Sequence, residues 1–478
     1  MGKSHPMMKR KTKIVCTLGP AVAGEEKLRQ LIDAGMDLAR INCSHGEPAE
    51  RLAQLQLLRR VAKEAGVFLP VMFDLQGPKI RIGRLEAPIP LTVGQKLVIT
   101  SGTQTGNADM LYTTYMHFSQ DVRPGEAILV DDGKIHFHAD EVRDGHVYCT
   151  VVVPGLLKER KGINLPNTKI SAPSLSPKDL EDLKMAVEHG ADFVAISFVR
   201  GAMDVVEVRQ KAAEFGDHQL RFISKIERPE ALKELVSIVN TSDGVMVARG
   251  DLGVEIGSHR VPMRQKEIIT RANLAGKFVI TATQMLDSMM ELPVPTRAEA
   301  SDVANAILDG TDACMLSGET ASGKYPIESV EMMDKIALEA ESHSVFRYET
   351  PGFSRGSVHH IPDGISVAAF QTANLMGARL LISLSNSGDS VLKLSKKHPN
   401  ALIVGITIHE HIARRMNAYW GVLPILLDAI ESVETMFEEV RLLILKMGLV
   451  RSGDVAILTS GYPLWESGST NIMKLMEL

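Results

Sequence analysis

The sequence predicts an α/β protein built on a (β/α)8 TIM barrel, with a small β-barrel lid domain inserted into the barrel and a separate C-terminal α/β domain. Three observations lead to this prediction. Short apolar runs alternate with amphipathic helical segments along most of the chain, as in parallel sheets. Polar residues follow nearly every run, where barrels keep their functional side chains. The alternation is interrupted once, by strand-like runs joined by Asp-Gly turns.

The first part of the chain follows a β-α-β-α-β order. Apolar runs predict the strands, and amphipathic segments that end at glycine predict the helices between them. The predicted strands are Thr12–Thr17, Leu38–Ile41 and Val71–Phe73, and the predicted helices are Glu25–Ala34 and Pro48–Ala65. This order is typical of a parallel barrel or a doubly wound sheet.

Helical periodicity is largely absent between Leu75 and Ala172. Turns at Asp132-Gly133 and Asp144-Gly145 separate strand-like runs, which is a strong hairpin signal. The predicted strands are Leu97–Thr100, Ala127–Val130, Ile135–Ala139 and Val147–Val153. We interpret this region as an inserted all-β domain.

The helix-strand alternation resumes after Ser176, a predicted N-cap. A Thr296…Glu299 capping box opens a later helix in this part. The predicted pairs of helix and strand are Pro177–Glu188 with Phe193–Phe198, Val205–Phe215 with Phe222–Ser224, Pro229–Val239 with Gly244–Ala248, Met263–Leu274 with Phe278–Ala282, and Arg297–Ile307 with Ala313–Leu316. Three strands before the insertion and five after it make eight, the number of a TIM barrel. The insertion follows the third strand on the face of the active-site loops, where it can act as a lid.

A second α/β unit follows the barrel. Helix Pro326–Ser342 closes the barrel, and Ser344–Pro362, rich in Gly, Ser, Pro and His, is predicted to be a linker. The elements predicted beyond it are Ile365–Leu375, Leu380–Leu384, Leu402–Thr407, Ser432–Met447 and Val455–Thr459. The predicted domains are 1–74 and 173–344 for the barrel, 75–172 for the lid and 345–478 for the C-terminal domain.

Composition excludes several classes of protein. A chain of 478 residues is too long for one core, and 45% hydrophobic residues is ordinary for a globular protein. The net charge of −5 argues against nucleic-acid binding. Four scattered cysteines without a CxxC pair favour neither zinc nor disulfides, and free thiols suit the cytoplasm. Neither a secretory signal nor an apolar run of about 18 residues is present, so no membrane association is expected.

Charged residues at the predicted strand exits indicate metal-assisted chemistry on an anion. Glu227 and Asp251 follow neighbouring strands and are suited to bind Mg²⁺ or Mn²⁺. Arg40, Arg81 and Lys225 can surround a phosphoryl group, whose transfer requires positioning and charge neutralisation. The backbone amides of the ARGDLG stretch, residues 248–253, can hold a carboxylate at a helix start.

A simpler interpretation of these charges remains open. Glu227 and Asp251 are also suited to pair with Lys225 and Arg249 in ordinary salt bridges. His45 is expected to form hydrogen bonds within a loop, since no second histidine lies at ligand spacing.

The same residues resemble the signatures of the pyruvate kinase family, in order and over nearly the whole chain. The matching motifs are RINCSHG (Arg40–Gly46), DLQGPKIR (Asp74–Arg81), KGINLP (Lys161–Pro166), ISKIE (Ile223–Glu227), MVARGDLGVEI (Met246–Ile256), TATQMLDSM (Thr281–Met289), Pro295–Pro326 and GSTN (Gly468–Asn471). The resemblance implies a glycolytic phosphotransferase that converts phosphoenolpyruvate and ADP into pyruvate and ATP.

The resemblance also implies roles for individual residues. Lys225, Arg40 and Arg81 would stabilise the transferred phosphoryl group, and Glu227 and Asp251 would bind Mg²⁺. The amides of Gly250 and Asp251, with the hydroxyl of Thr283, would hold the substrate carboxylate, and Thr283 would take part in protonating the enolate. The implied nucleotide contacts are Asn42, Ser44, His45 and the lid residue Lys161. Members of the family are usually homotetramers.

Two features depart from the family pattern. Asn42, Ser44, Asp74 and the Leu75 carbonyl resemble a K⁺ site, but Lys79 stands where K⁺-dependent members have Glu. Because an ammonium group can replace the cation, we predict little or no K⁺ requirement.

The second departure concerns the effector loop of the C-terminal domain. The corresponding SNSGDS stretch has hydroxyl groups before a helix, which suits phosphate, but Asp389 adds a negative charge. A sugar-phosphate or nucleotide effector and a plain turn both remain open for this stretch, which comprises Ser385, Asn386, Ser387, Gly388, Asp389 and Ser390.

Two rival functions would share part of this set of residues. A Mg²⁺-dependent barrel lyase that stabilises an enolate would share the metal carboxylates, but it needs neither Lys161 nor the two phosphoryl arginines. A degenerate paralogue that only senses metabolites would have lost Lys225, Glu227, Asp251 or Thr283, and all four are present.

Overall fold

The computed structural model describes residues 10–166, 168–217, 219–343, 360–428, 432–466 and 468–478. Its first part has the predicted β-α-β-α-β order, with a short 3₁₀ turn at Pro20–Val22. The elements are β1 (Lys13–Thr17), α1 (Glu25–Ala34), β2 (Leu38–Asn42), α2 (Pro48–Ala65) and β3 (Val71–Asp74). Both helices end at a glycine with positive φ, Gly35 at 118° and Gly66 at 69°, which is the left-handed C-cap.

The inserted region is all-β apart from one helical turn. Its elements are β4 (Ile89–Leu91), β5 (Lys96–Ser101), β6 (Met110–Thr113), α3 (Phe118–Asp121), β7 (Ala127–Val130), β8 (Ile135–Arg143), β9 (His146–Val153), β10 (Gly155–Leu157) and β11 (Ile163–Asn164). Asp144 and Gly145 both have positive φ and join β8 to β9 in a two-residue hairpin. Six of these strands form one sheet around their own hydrophobic core.

The second part of the barrel adds five strands and their helices. The elements are α4 (Pro177–Glu188), β12 (Phe193–Ile196), α5 (Ala202–Glu214), β13 (Arg221–Ile226), α6 (Pro229–Lys233), α7 (Leu235–Thr241), β14 (Gly244–Ala248), α8 (Arg249–Ile256), α9 (Val261–Leu274), β15 (Phe278–Ala282), α10 (Arg297–Leu308), β16 (Ala313–Leu316), α11 (Gly318–Ala321) and α12 (Pro326–Ser342), with 3₁₀ turns at Ser258–Arg260 and Asp287–Met290. The predicted N-cap at Ser176 and the Thr296 capping box are present.

Eight parallel strands close the barrel within the described residues, with β1 pairing both β2 and β16. Alternate residues of each strand face inwards or towards the outer helices, because side chains of a strand alternate between its two sides. Phe193 and Phe278 stack inside the barrel with ring centroids 5.9 Å apart. Phe278 in turn lies 6.1 Å from Tyr419 of the C-terminal domain, so the barrel interior and that domain share one core. The C-terminal domain therefore covers the base of the barrel, opposite the mouth.

The C-terminal domain is a five-stranded sheet flanked by helices. Its elements are α13 (Ile361–Met376), β17 (Leu380–Leu384), α14 (Asp389–Ser395), β18 (Leu402–Thr407), α15 (Glu410–Asn417), β19 (Val422–Leu426), α16 (Val433–Lys446), β20 (Val455–Gly461) and β21 (Thr470–Glu477). The strand order is β19-β18-β17-β20-β21, so connections run outwards in both directions from β17. The gap between the carboxyl ends of β17 and β20 is a topological switch point, where open α/β sheets bind ligands.

The structure corrects several predicted boundaries. The helix predicted over Pro229–Val239 is two helices, because Glu234 leaves helical geometry at φ −98° and ψ 17°. The strand predicted over Phe193–Phe198 ends at Ile196, and Phe198 has a φ of 57°. Pro362, placed in the predicted linker, is instead in the first turn of α13, where proline is well tolerated. The remainder of that linker lies largely outside the described residues, and the predicted domain limits stay predictions.

Candidate active site at the barrel mouth

Lys225 lies at the centre of an ion-pair cluster at the barrel mouth. The structure places it within β13, whereas the sequence predicted that this strand ends at Ser224. Its Nζ lies 2.9 Å from Oε1 of Glu227 and 3.3 Å from Oδ1 of Asp74, and it donates to Oγ of Ser197 at 2.7 Å. Burial lowers the pKa of Lys225, but the two carboxylates outweigh burial and raise it, so the side chain stays cationic.

Asp74 joins Lys225 to the neighbouring Arg40. The guanidinium of Arg40 donates from Nε to Oδ2 of Asp74 at 2.7 Å and from Nη1 to the hydroxyl of Thr17 at 3.0 Å. Asp74 is 1% exposed. Burial raises its pKa, but Lys225 and Arg40 together lower it below its usual value, so Asp74 stays ionised. Asp74 thereby holds the cationic groups of Arg40 and Lys225 side by side at the barrel mouth.

Glu227 is completely buried and only partly satisfied. Its Oε2 accepts the backbone N–H of Phe198 at 2.6 Å, while its Oε1 has the ion pair with Nζ of Lys225 at 2.9 Å and no aligned hydrogen bond within the described residues. Burial raises the pKa of Glu227, and the nearby charge of Asp251 raises it further. A buried carboxylate oxygen without an aligned hydrogen bond, beside a second carboxylate, is a fitting environment for a divalent cation. Glu227 and Asp251 are therefore the residues suited to hold one.

The described residues contain no group of three or more His, Cys, Asp or Glu side chains arranged to hold a metal ion. A Mg²⁺ ion needs only one or two protein carboxylates, because it keeps waters and takes substrate oxygens as further ligands. The Glu227 and Asp251 pair thus fits that ion and not a closed structural site.

Helix α8 places two backbone amides at the mouth. Gly250 and Asp251 lie in its first turn, where N–H groups have no partner inside the helix. A Cβ built at Gly250 would lie 3.1 Å from Cγ2 of Thr283, so only glycine fits there without displacement. Thr283 itself has a φ of 73°, an uncommon and costly conformation for a β-branched residue.

Arg249 connects α8 to the turn that carries Thr283. Its guanidinium donates to the carbonyl oxygen of Thr283 at 2.8 Å and to those of Ala282 and Gln284 at 3.3 Å. It also pairs with Asp302 at 2.6 Å. The alternative interpretation of Arg249 and Asp251 as a salt bridge is not what the structure contains, because Asp251 instead lies 3.7 Å from Nζ of Lys79.

The lid and the barrel enclose an open cleft of about 1000 Å³ beside α8. Lys79, Gly250, Asp251 and Thr283 line it from below. The lid contributes the Asp132-Gly133 turn, which belongs to a four-residue loop between β7 and β8. A cleft of this size admits a nucleotide as well as a small acid.

The remaining predicted site residues have partners other than Lys225 among the described residues. Lys161 is paired with Asp131 of the lid at 2.7 Å, and Arg81 donates to the carbonyl oxygen of Arg160 at 3.2 Å. The Asn42 side chain accepts the backbone N–H of Ser44 at 3.1 Å. His45 is exposed, as expected of a loop residue; burial lowers its pKa, with Arg81, Arg40 and Lys79 adding to the effect.

Comparison with known proteins agrees with this geometry. The family model described as "Pyruvate kinase, barrel domain" matches residues 9–330, and "Pyruvate kinase, alpha/beta domain" matches residues 363–476.

This chain belongs to the pyruvate kinase family.

Individual pyruvate kinases resemble the chain over almost its full length. The pyruvate kinase of Sporosarcina psychrophila is 42% identical over 98% of this chain and 80% of its own length. That of Geobacillus stearothermophilus is 41% identical with the same coverage of both chains. A crystal structure of a pyruvate kinase from Cryptosporidium parvum superimposes with a TM-score of 0.90 at 35% identity, covering 98% of this chain and 97% of the other. Among the described residues, no helix is long and apolar enough to cross a membrane.

The predicted effector loop of this pyruvate kinase family member lies at the switch point of the C-terminal sheet. Residues 385–388 join β17 to α14, which begins with Asp389 and Ser390. All six residues except Gly388 line a cavity of about 400 Å³, together with the end of β20 and the segment after it. We call this the switch-point cavity. Asp389 pairs with Arg221 of the barrel at 2.8 Å, so its charge is directed at a barrel residue as well as at the start of α14.

Sequence reasoning missed several residues that hold the predicted ones in place. Ser197 bonds Lys225 and the Leu75 carbonyl, Phe198 bonds Glu227, Thr17 bonds Arg40, and Arg249 bonds the Thr283 turn. The sequence predicts a strand over Phe193–Phe198, which hides the position of Ser197 and Phe198 at the strand exit. Arg249 directly follows the strand predicted over Gly244–Ala248, but its carbonyl partners lie at the end of the next barrel strand, β15.

Proposed function

We propose that this protein transfers the phosphoryl group of phosphoenolpyruvate to ADP and then protonates the resulting enolate to pyruvate. The observation that carries the proposal is the joint placement of Arg40 and Lys225 around the single buried carboxylate of Asp74. Two fixed cations at one point suit a group that carries charge on several oxygens. Phosphoryl transfer needs little more than such placement and the exclusion of water.

Different residues at the mouth are proposed to bind the substrate carboxylate, to neutralise the phosphoryl group and to protonate the enolate. The unpaired amides of Gly250 and Asp251, with the Thr283 hydroxyl, hold the substrate carboxylate. Lys225, Arg40 and Arg81 neutralise the phosphoryl group while its bond to the enol oxygen breaks and a bond to the β-phosphate oxygen of ADP forms. The electron pair of the broken bond stays on the enolate, whose methylene carbon then takes a proton through the hydroxyl of Thr283, as the resemblance to the family implies.

We further propose Mg²⁺, or Mn²⁺ in its place, as the cofactor, held by Glu227 and Asp251. When bound, the ion would supply positive charge that stabilises the enolate and phosphoryl oxygens. The Oε1 of Glu227, which is buried beside Lys225 without an aligned hydrogen bond, supports this assignment.

The nucleotide is proposed to bind between the lid and the barrel. Asn42, Ser44 and His45 would contact it from the exit of β2. Lys161 would reach it from the lid, exchanging its partner Asp131 for a phosphate. Both ammonium-carboxylate and ammonium-phosphate pairs are favourable, so the exchange costs little.

Pyruvate formation from phosphoenolpyruvate, ADP and Mg²⁺ tests the proposed reaction. Wild-type protein should turn over, and Lys225→Met should lose nearly all activity while keeping its melting temperature within a few degrees. Lys184→Met, which removes an exposed lysine of α4, is the control and should retain full activity. Absence of pyruvate in the wild type would refute the kinase assignment, and metal-dependent aldol cleavage would favour the lyase instead.

We also propose that K⁺ is not required, because the ammonium group of Lys79 replaces it. The proximity of Lys79 to Asp251 and its influence on His45 place its charge at the mouth. The structure has no contact between Lys79 and Asp74 within the described residues. Assays in Na⁺ and K⁺ buffers should give equal rates, and Lys79→Glu should create K⁺ dependence. A large K⁺ stimulation of the wild type would refute this proposal.

Finally, we propose a cytoplasmic homotetramer with an effector at the switch-point cavity. The resemblance to pyruvate kinases supports the assembly, and the hydroxyl groups of Ser385, Ser387 and Ser390 at the start of α14 support a sugar phosphate or nucleotide as the effector. Light scattering of the purified protein tests the assembly. The effector is tested by adding sugar phosphates or AMP and measuring the phosphoenolpyruvate concentration for half-maximal rate. An effector site predicts a shift in that concentration, whereas a plain turn predicts no shift.

A further inference from the structure

The loop between β2 and α2 carries proposed nucleotide contacts but makes few hydrogen bonds of its own. It comprises residues 43–47, and His45 and Gly46 are exposed. At its start the backbone N–H of Ser44 donates to the Asn42 side chain at 3.1 Å, and that of His45 donates to the Asn42 carbonyl oxygen at 3.4 Å. An exposed loop of this kind keeps one conformation only where the neighbouring structure stabilises it.

Two cationic side chains bind this loop through its carbonyl oxygens. Nη1 of Arg51, near the start of α2, donates to the carbonyl oxygens of His45 at 3.0 Å and Gly46 at 2.7 Å. Nζ of Lys178, in the first turn of α4, donates to the carbonyl oxygen of Cys43 at 2.5 Å. Three carbonyl oxygens of one short loop are therefore bound by side chains of two different helices.

Both cations share one buried carboxylate, that of Asp182 on α4. Nη2 of Arg51 lies 2.5 Å from Oδ1 of Asp182, and Nζ of Lys178 lies 2.5 Å from Oδ2. Arg51 is 3% exposed and Asp182 is 1% exposed. Among the described residues Nε of Arg51 has no hydrogen-bond partner, so the hydrogen bonds of its guanidinium go to the loop and to Asp182. Because separating a buried ion pair is costly, this cluster gives the loop a rigid support.

We infer that Arg51 is a positioning residue for the nucleotide, which fixes the loop in the shape that contacts ADP. Asp182 and Lys178 hold Arg51 and the start of the loop in place. The inference rests on the proposed transfer to ADP, and it adds residues that need no contact with a substrate. A loop fixed before ADP binds loses little conformational freedom on binding, so preorganisation increases the affinity without a new contact.

The contacts of Arg51 separate it from the proposed phosphoenolpyruvate site. Within the described residues it has no hydrogen bond or ion pair with Arg40 or Lys225, which are joined through Asp74 instead. Loss of Arg51 should therefore weaken the binding of ADP and leave that of phosphoenolpyruvate nearly unchanged. A residue with a merely structural role would affect both substrates alike.

Initial rates with Mg²⁺, measured against ADP and against phosphoenolpyruvate separately, test this inference together with calorimetric titration of ADP. In Arg51→Met the KM for ADP and the dissociation constant of ADP should rise about tenfold or more, as expected for lost hydrogen bonds from a charged donor. The KM for phosphoenolpyruvate should stay within about twofold of the wild-type value. Arg51→Lys keeps the charge but cannot bind the loop and Asp182 with separate nitrogens, so its KM for ADP should be intermediate. It also covers the case in which the methionine variant does not fold.

Asp182→Asn tests the support of Arg51. The amide keeps the shape of the side chain but loses the charge, so the KM for ADP should rise in this variant as well. In the double variant with Arg51→Met, the rise should be smaller than the product of the two single effects, as expected of residues in contact. A rise equal to that product would show that the two residues act separately and would contradict the inference.

Arg59→Met is the matched control for the structural cost of removing a buried ion pair from α2. Arg59 lies on the same helix, donates to the carbonyl oxygens of Leu69 and Gly190 at 2.9 Å each, and pairs with the buried Asp192 at 2.7 Å. It should leave both KM values unchanged. An equal rise in the KM for ADP in Arg59→Met, or no rise in Arg51→Met, would overturn the inference. Absence of pyruvate formation by the wild type would refute the transfer reaction instead, and the ADP titrations would still test the role of Arg51.

Discussion

Arg249 donates a hydrogen bond to the backbone carbonyl oxygen of Thr283 at 2.8 Å, across the gap between the carboxyl ends of β14 and β15. The contact connects two parts of the proposed carboxylate site. One is the start of α8, which supplies backbone amides, and the other is the turn that carries the Thr283 hydroxyl. Thr283 and Gln284 both have positive φ, at 73° and 54°. A positive φ in a residue other than glycine costs about 1–3 kcal/mol, and it persists only where the surrounding structure stabilises it.

Arg249→Met should therefore lower kcat for pyruvate formation by about 10–100-fold, since a small misplacement of a reacting group is costly. The exchange of methyl protons of pyruvate with solvent, which isolates the protonation step, should fall by a similar factor. Arg264→Met, which breaks an exposed pair with Glu267 on α9, is the control and should leave both rates unchanged. Equal rates in Arg249→Met and wild type would show that the Thr283 turn keeps its conformation without Arg249.

Gly250→Ala should raise the KM for phosphoenolpyruvate about tenfold, a cost of about 1.4 kcal/mol. The added methyl group meets Cγ2 of Thr283 at 3.1 Å and must displace either the turn or the helix start. Thr283→Ser lacks that methyl group, so the effect of the alanine should shrink in the double variant, as expected of residues in contact. At Gly201 an added Cβ meets nothing within 4 Å, so Gly201→Ala is the control. Strict additivity of the two changes would contradict the proposed clash.

Ser197→Ala should lower kcat/KM about tenfold or less, the size of one net hydrogen bond of about 0.5–1.5 kcal/mol. The change removes the acceptor of Lys225 at 2.7 Å and the donor to the Leu75 carbonyl at 2.8 Å. Ser224→Ala is the comparison, because that buried serine instead bonds Ser242, the residue that follows α7. If both variants lose the same activity, the loss reflects general destabilisation and not the position of Lys225.

Lys13 should make thermal stability depend on alkaline pH. It is buried where the barrel base meets the C-terminal domain and donates to the Val422 carbonyl at 3.0 Å. Burial lowers its pKa from 10.5 to about 8, against the opposing charge of Asp37. Between these values the unfolded chain binds a proton that the folded chain lacks, so stability should rise with pH across this window.

The melting temperature of the wild type minus that of Lys13→Met measures this effect, because other titrating groups cancel in the difference. The difference should increase from about pH 8 towards pH 10.5 and be flat below pH 8. A flat difference over the whole range would mean that Lys13 keeps an ordinary pKa in the folded protein.

Local patterns were sufficient to predict the barrel from the sequence. Alternation of strands and helices is typical of a parallel barrel or a doubly wound sheet, and the count of eight apolar runs favoured the barrel. The helix ends at Gly35 and Gly66 follow from the left-handed backbone that glycine permits. The same reasoning predicted Lys225, Glu227 and Asp251 at one mouth, because parallel strands bring their carboxyl ends to the same edge. The Asp144-Gly145 hairpin was predicted on equally local grounds.

Contacts between distant segments were decided only by the tertiary structure. Nothing in the sequence pairs Arg249 with Asp302 and the Thr283 turn, since those partners belong to β15 and α10 and meet Arg249 only after the barrel closes. Nor does it pair Asp192 with Arg414, because the two residues lie 222 positions apart and meet only when the C-terminal domain packs on the barrel. Side-chain chemistry and chain order specify which strands form, whereas the pairing of charges between them depends on distances that only the packed fold creates.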